Sequence, residues 1–243
     1  MNISFAKYTD VGSRKVNEDS MLVVQDGSRY LFVVADGLGG HGMGDAASQL
    51  VCETIRAYFL SHKNLDSAMF AELYQLCQQK LLEKQEELGA SGKMRTTLNI
   101  LWLDETTAYW SHIGDSRTYY FDQKQLIKRT FDHSVPQMLA AAGQIQESEI
   151  RSHEDRNRLL RVMGVTGQDP VFDTEQPVPL RGNQQFLLCS DGFWELITEE
   201  QMTLWLDESD DPQFWLDNMI EIVHRNGRNK NTDNTTAVAV WID

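Results

Sequence analysis

The 243-residue sequence predicts an α+β fold built in layers. Apolar runs of strand length and stretches of helical periodicity arrive in blocks, in the order strands, helices, strands, helices, strand. That order differs from the strict alternation of a parallel βαβ sheet. No internal repeat, low-complexity tract or linker rich in Pro, Gly or Ser divides the chain. With only five prolines as well, one domain over residues 1–243 is expected rather than two.

Taken in order, "ISFAKYTD", "SMLVVQD" and "YLFVVAD" read as three strands, the last two joined by a hairpin turn through Asp26-Gly27. Ala46, Ala47, Leu50, Val51, Ile55, Tyr58 and Phe59 then recur at spacings of three and four, which makes an amphipathic helix. A second helix is expected from about Asp66 to Leu88. "RTTLNILWLD", "TAYWSHIGD", "SRTYYFD" and "QLIKRT" return to strand character, with "FDQKQ" as a tight turn. Residues 133–160 are polar and broken into short helical pieces. "QFLLCSD" reads as a buried strand, two helical patterns fill about 199–226, and "TTAVAVWID" closes as a strand.

Bulk composition narrows the function. A formal charge of −14 and a pI near 4.8 argue against binding a nucleic-acid backbone, which needs clustered Lys and Arg. Cys52, Cys77 and Cys189 are odd in number and widely spaced, as reduced thiols are. The sequence starts without a basic and apolar leader, and no apolar run reaches membrane-spanning length. A cytoplasmic protein with no membrane partner is the expectation.

The stretch "VVADGLGGHGMGDAAS" poses the functional question. Gly37, Gly39 and Gly42 spell G-x-G-x-x-G after an apolar run, which is the dinucleotide fingerprint. Three features oppose that reading. The next convincing strand begins near Arg95, after two helices, where a βαβ unit would return within about 30 residues. Asp36 stands where a pyrophosphate would approach. The ribose-binding acid is also missing, since Glu53 falls inside the first helix. A P-loop fails because no Gly-Lys-Ser/Thr follows.

The alternative is that Asp36 ends a strand and points into a site, with the glycines letting a backbone carbonyl join it on a hard cation. Other acids should then stand at strand ends, and they do. Glu18 and Asp19 open the second strand, and Asp115 lies between two strands in "IGDSR". Asp191 follows an apolar strand in "LLCSDG", and Asp233 and Asn234 precede the last strand. Singly, each is an ordinary turn residue. Together they suggest a cation site.

"RKVNEDS", "VVADGLGGHGMGDAAS", "RTTL", "IGDSR", "DHSVPQMLAAAGQI", "NRLLRVMG", "LLCSDGFWELI" and "DNTTAVAV" resemble, in order and over nearly the whole chain, the metal-dependent PPM or protein phosphatase 2C family, in its compact bacterial form. The resemblance implies a four-layer αββα sandwich: two antiparallel sheets flanked by helices, with metals in a cleft at one end. It implies hydrolysis of phosphoserine and phosphothreonine on proteins at two Mn²⁺ or Mg²⁺ ions. Asp36 would bridge them, the Gly37 carbonyl would bind one, and Asp191 and Asp233 would hold the other. Glu18 and Asp19 would act directly or through water. Asp115 with Asp191 would take a third, weaker ion. Arg14 would grip the phosphate, and Asn234 would bond the attacking water or the phosphate. Residues of about 133–164 would form a flap beside the site.

Two departures stand out. Leu38 occupies a place where some members carry a histidine, with His41 three residues on. Arg95 replaces the glycine usual before the two threonines. His112, His133 and Cys189 read as structural. The implied partners are phosphoproteins, with a Ser/Thr kinase and its substrates, and the chain is expected to be a monomer. A catalytically silent phosphoprotein- or metal-binding domain, or a phosphatase of the anti-sigma-factor-antagonist type or of small phosphoesters, are the alternatives.

Overall fold

The structure is a computed structural model describing residues 1–38, 42–62 and 69–243. His41 and the expected first residues of the second helix, 66–68, lie outside the described residues.

Two antiparallel sheets face each other. The first has the order β1-β11-β10-β6-β7, built from β1 (Ile3–Asp10), β6 (Arg117–Asp122), β7 (Gln125–Arg129), β10 (Gln184–Cys189) and β11 (Thr235–Ile242). The second has the order β2-β3-β4-β5-β8, built from β2 (Asp19–Asp26), β3 (Arg29–Asp36), β4 (Leu98–Leu103), β5 (Thr107–Ile113) and β8 (Asp173–Thr174). A second two-residue strand, β9 (Val178–Pro179), also pairs with β5.

Strand period sorts the apolar side chains into three layers. On β3, Phe32 and Val34 face the opposite sheet, while Leu31, Val33 and Ala35 face away from it. That outer face is covered by α1 (Gly44–Ser61) and α2 (Met69–Glu87), which bury Val51, Ile55, Phe59, Leu73 and Leu81 against it. On β11, Val238, Val240 and Ile242 point between the sheets. Its Ala237, Ala239 and Trp241 point to the other helical layer, formed by α5 (Glu199–Asp207) and α6 (Pro212–Gly227). A four-layer helix–sheet–sheet–helix sandwich results, as the resemblance implies. β3 and β11 are apolar along most of their length because both of their faces are covered, which hides the usual alternation.

The expected strands and helices are present, with ends shifted by a few residues. Three short elements went unanticipated. β8 and β9 are two residues each, too short to carry a periodic signal. The helix α4 (Asp191–Trp194) begins at Asp191 itself, directly after β10. Between β7 and β8, α3 (Val135–Ala141) is capped by Ser134, whose hydroxyl accepts from Gln137, and a 3-10 turn follows at Glu147–Ser152. No helix among the described residues is long and apolar enough to cross a membrane.

Candidate metal centre and active-site cleft

One end of the sandwich holds a cleft of about 590 Å³ lined by Arg14, Glu18, Asp36, Gly37, Asp115, Asp191 and Asp233. Residues from the beginning, middle and end of the chain meet there because the strands carrying them run side by side. Asp36 is the last residue of β3 and pairs in register with Asp19 on β2. Asp115 sits in the β5–β6 turn, Asp191 follows β10, and Asp233 precedes β11. A larger surface groove, about 730 Å³, runs between α2 and residues 167–169. Its acids, Glu72, Glu83, Glu86 and Asp169, are exposed and solvated, so volume alone does not mark the site.

Backbone bonds fix the centre. The Asp36 amide donates to Thr97 Oγ1 (2.9 Å), and its carbonyl accepts from the Thr97 amide (2.8 Å) and Thr96 Oγ1 (2.9 Å). The Gly37 amide donates to the Glu18 carbonyl at 3.1 Å. A Cβ on Gly37 would lie 2.2 Å from the Gly44 carbonyl oxygen and 2.5 Å from that of Glu18. Glycine is therefore required here for close backbone approach, with a normal φ. Arg95 in the usual glycine's place leaves this frame intact, since Gly37 still bridges to Thr96 and Thr96 to Met163.

Behind the cleft wall, Ser190 Oγ donates to Asp19 Oδ2 at 2.7 Å and accepts from the Thr236 amide at 2.9 Å. Neither Ser190 nor the Thr96–Thr97 pair carries a role in the sequence reading, although a serine ahead of a helical Asp is a recognisable cap signal. Asn234 is bound to the backbone of residues 11–18. Its Nδ2 donates to the Val11 and Val16 carbonyls (2.9 and 3.0 Å), and its Oδ1 accepts from the Glu18 amide at 2.8 Å. Both amide protons are thus spent pinning residues 11–18, and the side chain does not line the cleft. It thereby ties the segment carrying Arg14 and Glu18 to the start of β11.

The acids are crowded and poorly neutralised. Burial, then the charge of Asp191, raises Asp36 well above the usual carboxylate range, and Asp115 is raised the same way. Burial also pushes Asp19 up to about 7 and Asp191 up to about 6. Asp19 Oδ1 and Asp191 Oδ1 are buried with no hydrogen-bond partner. Arg14 meets Asp233 at 2.5 Å, and Arg95 and Arg158 also line the cleft. Buried, mutually repelling carboxylates with orphaned oxygens are the environment a hard dication relieves. The donor set fits Mg²⁺ or Mn²⁺, which take oxygen ligands; Mg²⁺ in particular keeps several waters and needs only one or two carboxylates.

A tighter group sits elsewhere. His112, His133 and Asp173 offer ligand atoms within 4.8 Å of one another. Its protons argue against an ion. His133 Nδ1 accepts from the Gly114 amide (3.1 Å), so neutral His133 carries its proton on Nε2, 3.2 Å from Asp173. Arg161 adds a positive charge 3.3 Å from the same carboxylate. The group ties the two ends of residues 133–161 to β5 and β8, consistent with a structural reading of both histidines.

The comparisons agree with this geometry. The family described as Protein phosphatase 2C matches residues 10–231. The serine/threonine phosphatase stp of Listeria welshimeri is 31% identical over 202 residues, covering 80% of this chain and 79% of that protein. The Mycobacterium tuberculosis serine/threonine phosphatase PstP/Ppp superposes with a TM-score of 0.83 at 28% identity, over 99% of both chains. A structure of the PstP catalytic domain in complex with two manganese ions superposes with the same TM-score at 27% identity, again over 99% of each chain. The chain belongs to the protein phosphatase 2C family of metal-dependent serine/threonine phosphatases.

Proposed function

We propose that Glu18, Asp19, Asp36, Gly37, Asp191 and Asp233 hold a pair of Mn²⁺ or Mg²⁺ ions, with Asp115 and Asp191 offering a third position, for hydrolysis of phosphoserine and phosphothreonine on proteins. The observation that carries this reading is the set of buried carboxylates with raised pKa values and orphaned oxygens in one cleft. When bound, such ions lower the pKa of a water and neutralise charge on phosphoryl oxygens. The chain's own residues do the rest. Arg14 binds the phosphate through its guanidinium fork. Thr96 and Thr97 hold the Asp36 backbone, and Ser190 holds Asp19. Residues 133–164 act as a flap whose Asn157, Leu159 and Val162 close one wall of the cleft. No protein nucleophile is needed.

The biological setting belongs to the same reading: one catalytic domain over residues 1–243, monomeric and cytoplasmic, reversing a Ser/Thr kinase and contacting neither nucleic acid nor membrane. The phosphatase names of its relatives support the substrate class.

The test pairs chelation with Asp36→Asn, which keeps shape and removes one charge. Hydrolysis of p-nitrophenyl phosphate should vanish in EDTA and return with Mn²⁺ or Mg²⁺. In the variant, calorimetry should show lost Mn²⁺ affinity, and activity should fall by orders of magnitude. A nucleotide loop predicts the opposite sign, because removing a carboxylate relieves repulsion of a pyrophosphate. Full activity after exhaustive chelation, or Mn²⁺ binding and activity retained by the variant, would overturn the assignment.

A further inference from the structure

The arginines around the cleft divide into two groups. Arg14 is paired with Asp233, Arg151 with Glu199, Arg156 with Glu195 and Arg161 with Asp173. Arg95 and Arg158 also line the cleft, yet among the described residues neither side chain has an acidic partner. Arg95 is partly buried, and its Nε is fully buried without a hydrogen-bond partner. An unpaired guanidinium with a buried N–H is costly unless something else neutralises it. In a chain of formal charge −14, half-buried Arg95 and exposed Arg158 are two cations in one cleft without acidic partners among the described residues.

Their supports are rigid and distinct. Arg95 precedes Thr96, which is bridged on one side to Gly37 and on the other to Met163 of the flap. Its own carbonyl accepts from the Leu38 amide at 2.9 Å. Arg158 lies on the returning arm of the flap, where its carbonyl accepts from the Val135 amide at 3.0 Å and Leu159 bridges to Ser134. Arg95 and Arg158 are thus carried by segments hydrogen-bonded to the centre and to the flap, and both residues line the same cleft as Asp36.

We propose that Arg95 and Arg158 form a second anion subsite, which takes a carboxylate or a second phosphoryl group on a residue flanking the scissile phosphoserine or phosphothreonine. The preferred substrate is then an acidic or multiply phosphorylated segment. This rests on the phosphatase reading, with Arg14 and the cations engaging the scissile phosphate itself. Guanidinium forks match carboxylate and phosphate geometry equally, so the shared chemistry is a flanking oxyanion.

Three phosphothreonine peptides of equal length test it with the Mn²⁺-loaded enzyme: one flanked by alanine, one by glutamate, one by a second phosphoserine. The wild type should favour one or both anionic peptides by about tenfold in kcat/KM, mainly through KM. The one it favours identifies the flanking group. Arg95→Gly, which installs the residue usual in the family, and Arg158→Ala should each shrink that preference, and the double variant should bring it to about one. Arg95→Lys should restore part of it, which a purely structural role would not do. Equal wild-type rates on all three peptides, or a preference that survives the double variant, would overturn the subsite while leaving the phosphatase standing. Mn²⁺-independent or absent hydrolysis of every peptide would instead remove the phosphatase reading on which it rests.

Discussion

Arg14 donates to Asp233 from a side chain about half open to water, at the mouth of a cleft whose deeper acids are buried. A surface ion pair of this kind contributes little to stability. In the proposed function its value lies in readiness: Asp233, once serving a cation, would release the fork toward an incoming phosphate. Arg14→Ala should therefore leave the thermal midpoint almost unchanged and weaken substrate capture. A charge-assisted hydrogen bond contributes about 1.5–3 kcal/mol, and partial exposure favours the lower end, about tenfold in kcat/KM. An unchanged kcat/KM would remove Arg14 from the site. Asn234 shows what residue type alone does not reveal. The sequence placed an amide beside an acid, which suits contact with water or phosphate. The direction of that amide depends on the carbonyls of Val11 and Val16, more than 200 positions away in the chain, and no local pattern encodes it.

At the scale of elements, most strands and helices were legible because their apolar faces repeat at the strand or helix period. β3 and β11 read as mostly apolar runs since both their faces are covered. What the pattern could not carry was shorter than one period: β8, β9 and the four-residue helix at Asp191. The turn in "FDQKQ" was legible in place but unusual in chemistry, for Gln123 and Lys124 both take left-handed backbone (φ 50° and 62°) without a glycine. The junction from β3 to α1 is the element on which the site depends. Gly37 sits there against two carbonyl oxygens, and a methyl group would overlap the backbone of Gly44 rather than a movable side chain. Gly37→Ala should shift that backbone and Asp36 with it. Activity should drop by at least a hundredfold, in line with the cost of about 1 Å of misplacement in a positioned site, with a loss of stability of about 1–3 kcal/mol from overpacking. Normal activity in this variant would show that Gly37 tolerates a side chain and that the close approach is not required.

For the whole molecule, function and stability oppose each other at the open end of the sandwich. Burial and mutual repulsion push Asp19 up to about 7 and Asp191 up to about 6, and raise Asp36 and Asp115 well above the usual carboxylate range. In the metal-free protein each of these native carboxyls holds its proton more tightly than its unfolded counterpart. The native state thus binds more protons from about pH 4 upward, and linkage makes their contribution to stability fall as pH rises through the folded-state values. A bound dication reverses the sign, because it prefers the ionised acids and must displace protons at low pH. Two outcomes are expected from thermal unfolding with EDTA or with excess Mg²⁺. The gap in midpoint between loaded and metal-free protein should widen between pH 5.5 and pH 8, since comparison at one pH cancels titrations elsewhere. Asp36→Asn should raise the metal-free midpoint at pH 8 while reducing the gain from Mg²⁺, as expected where a site is kept at the expense of the fold. A gap independent of pH, or a metal-free variant no more stable than the parent, would mean that the acids are already neutralised by the protein itself and need no cation.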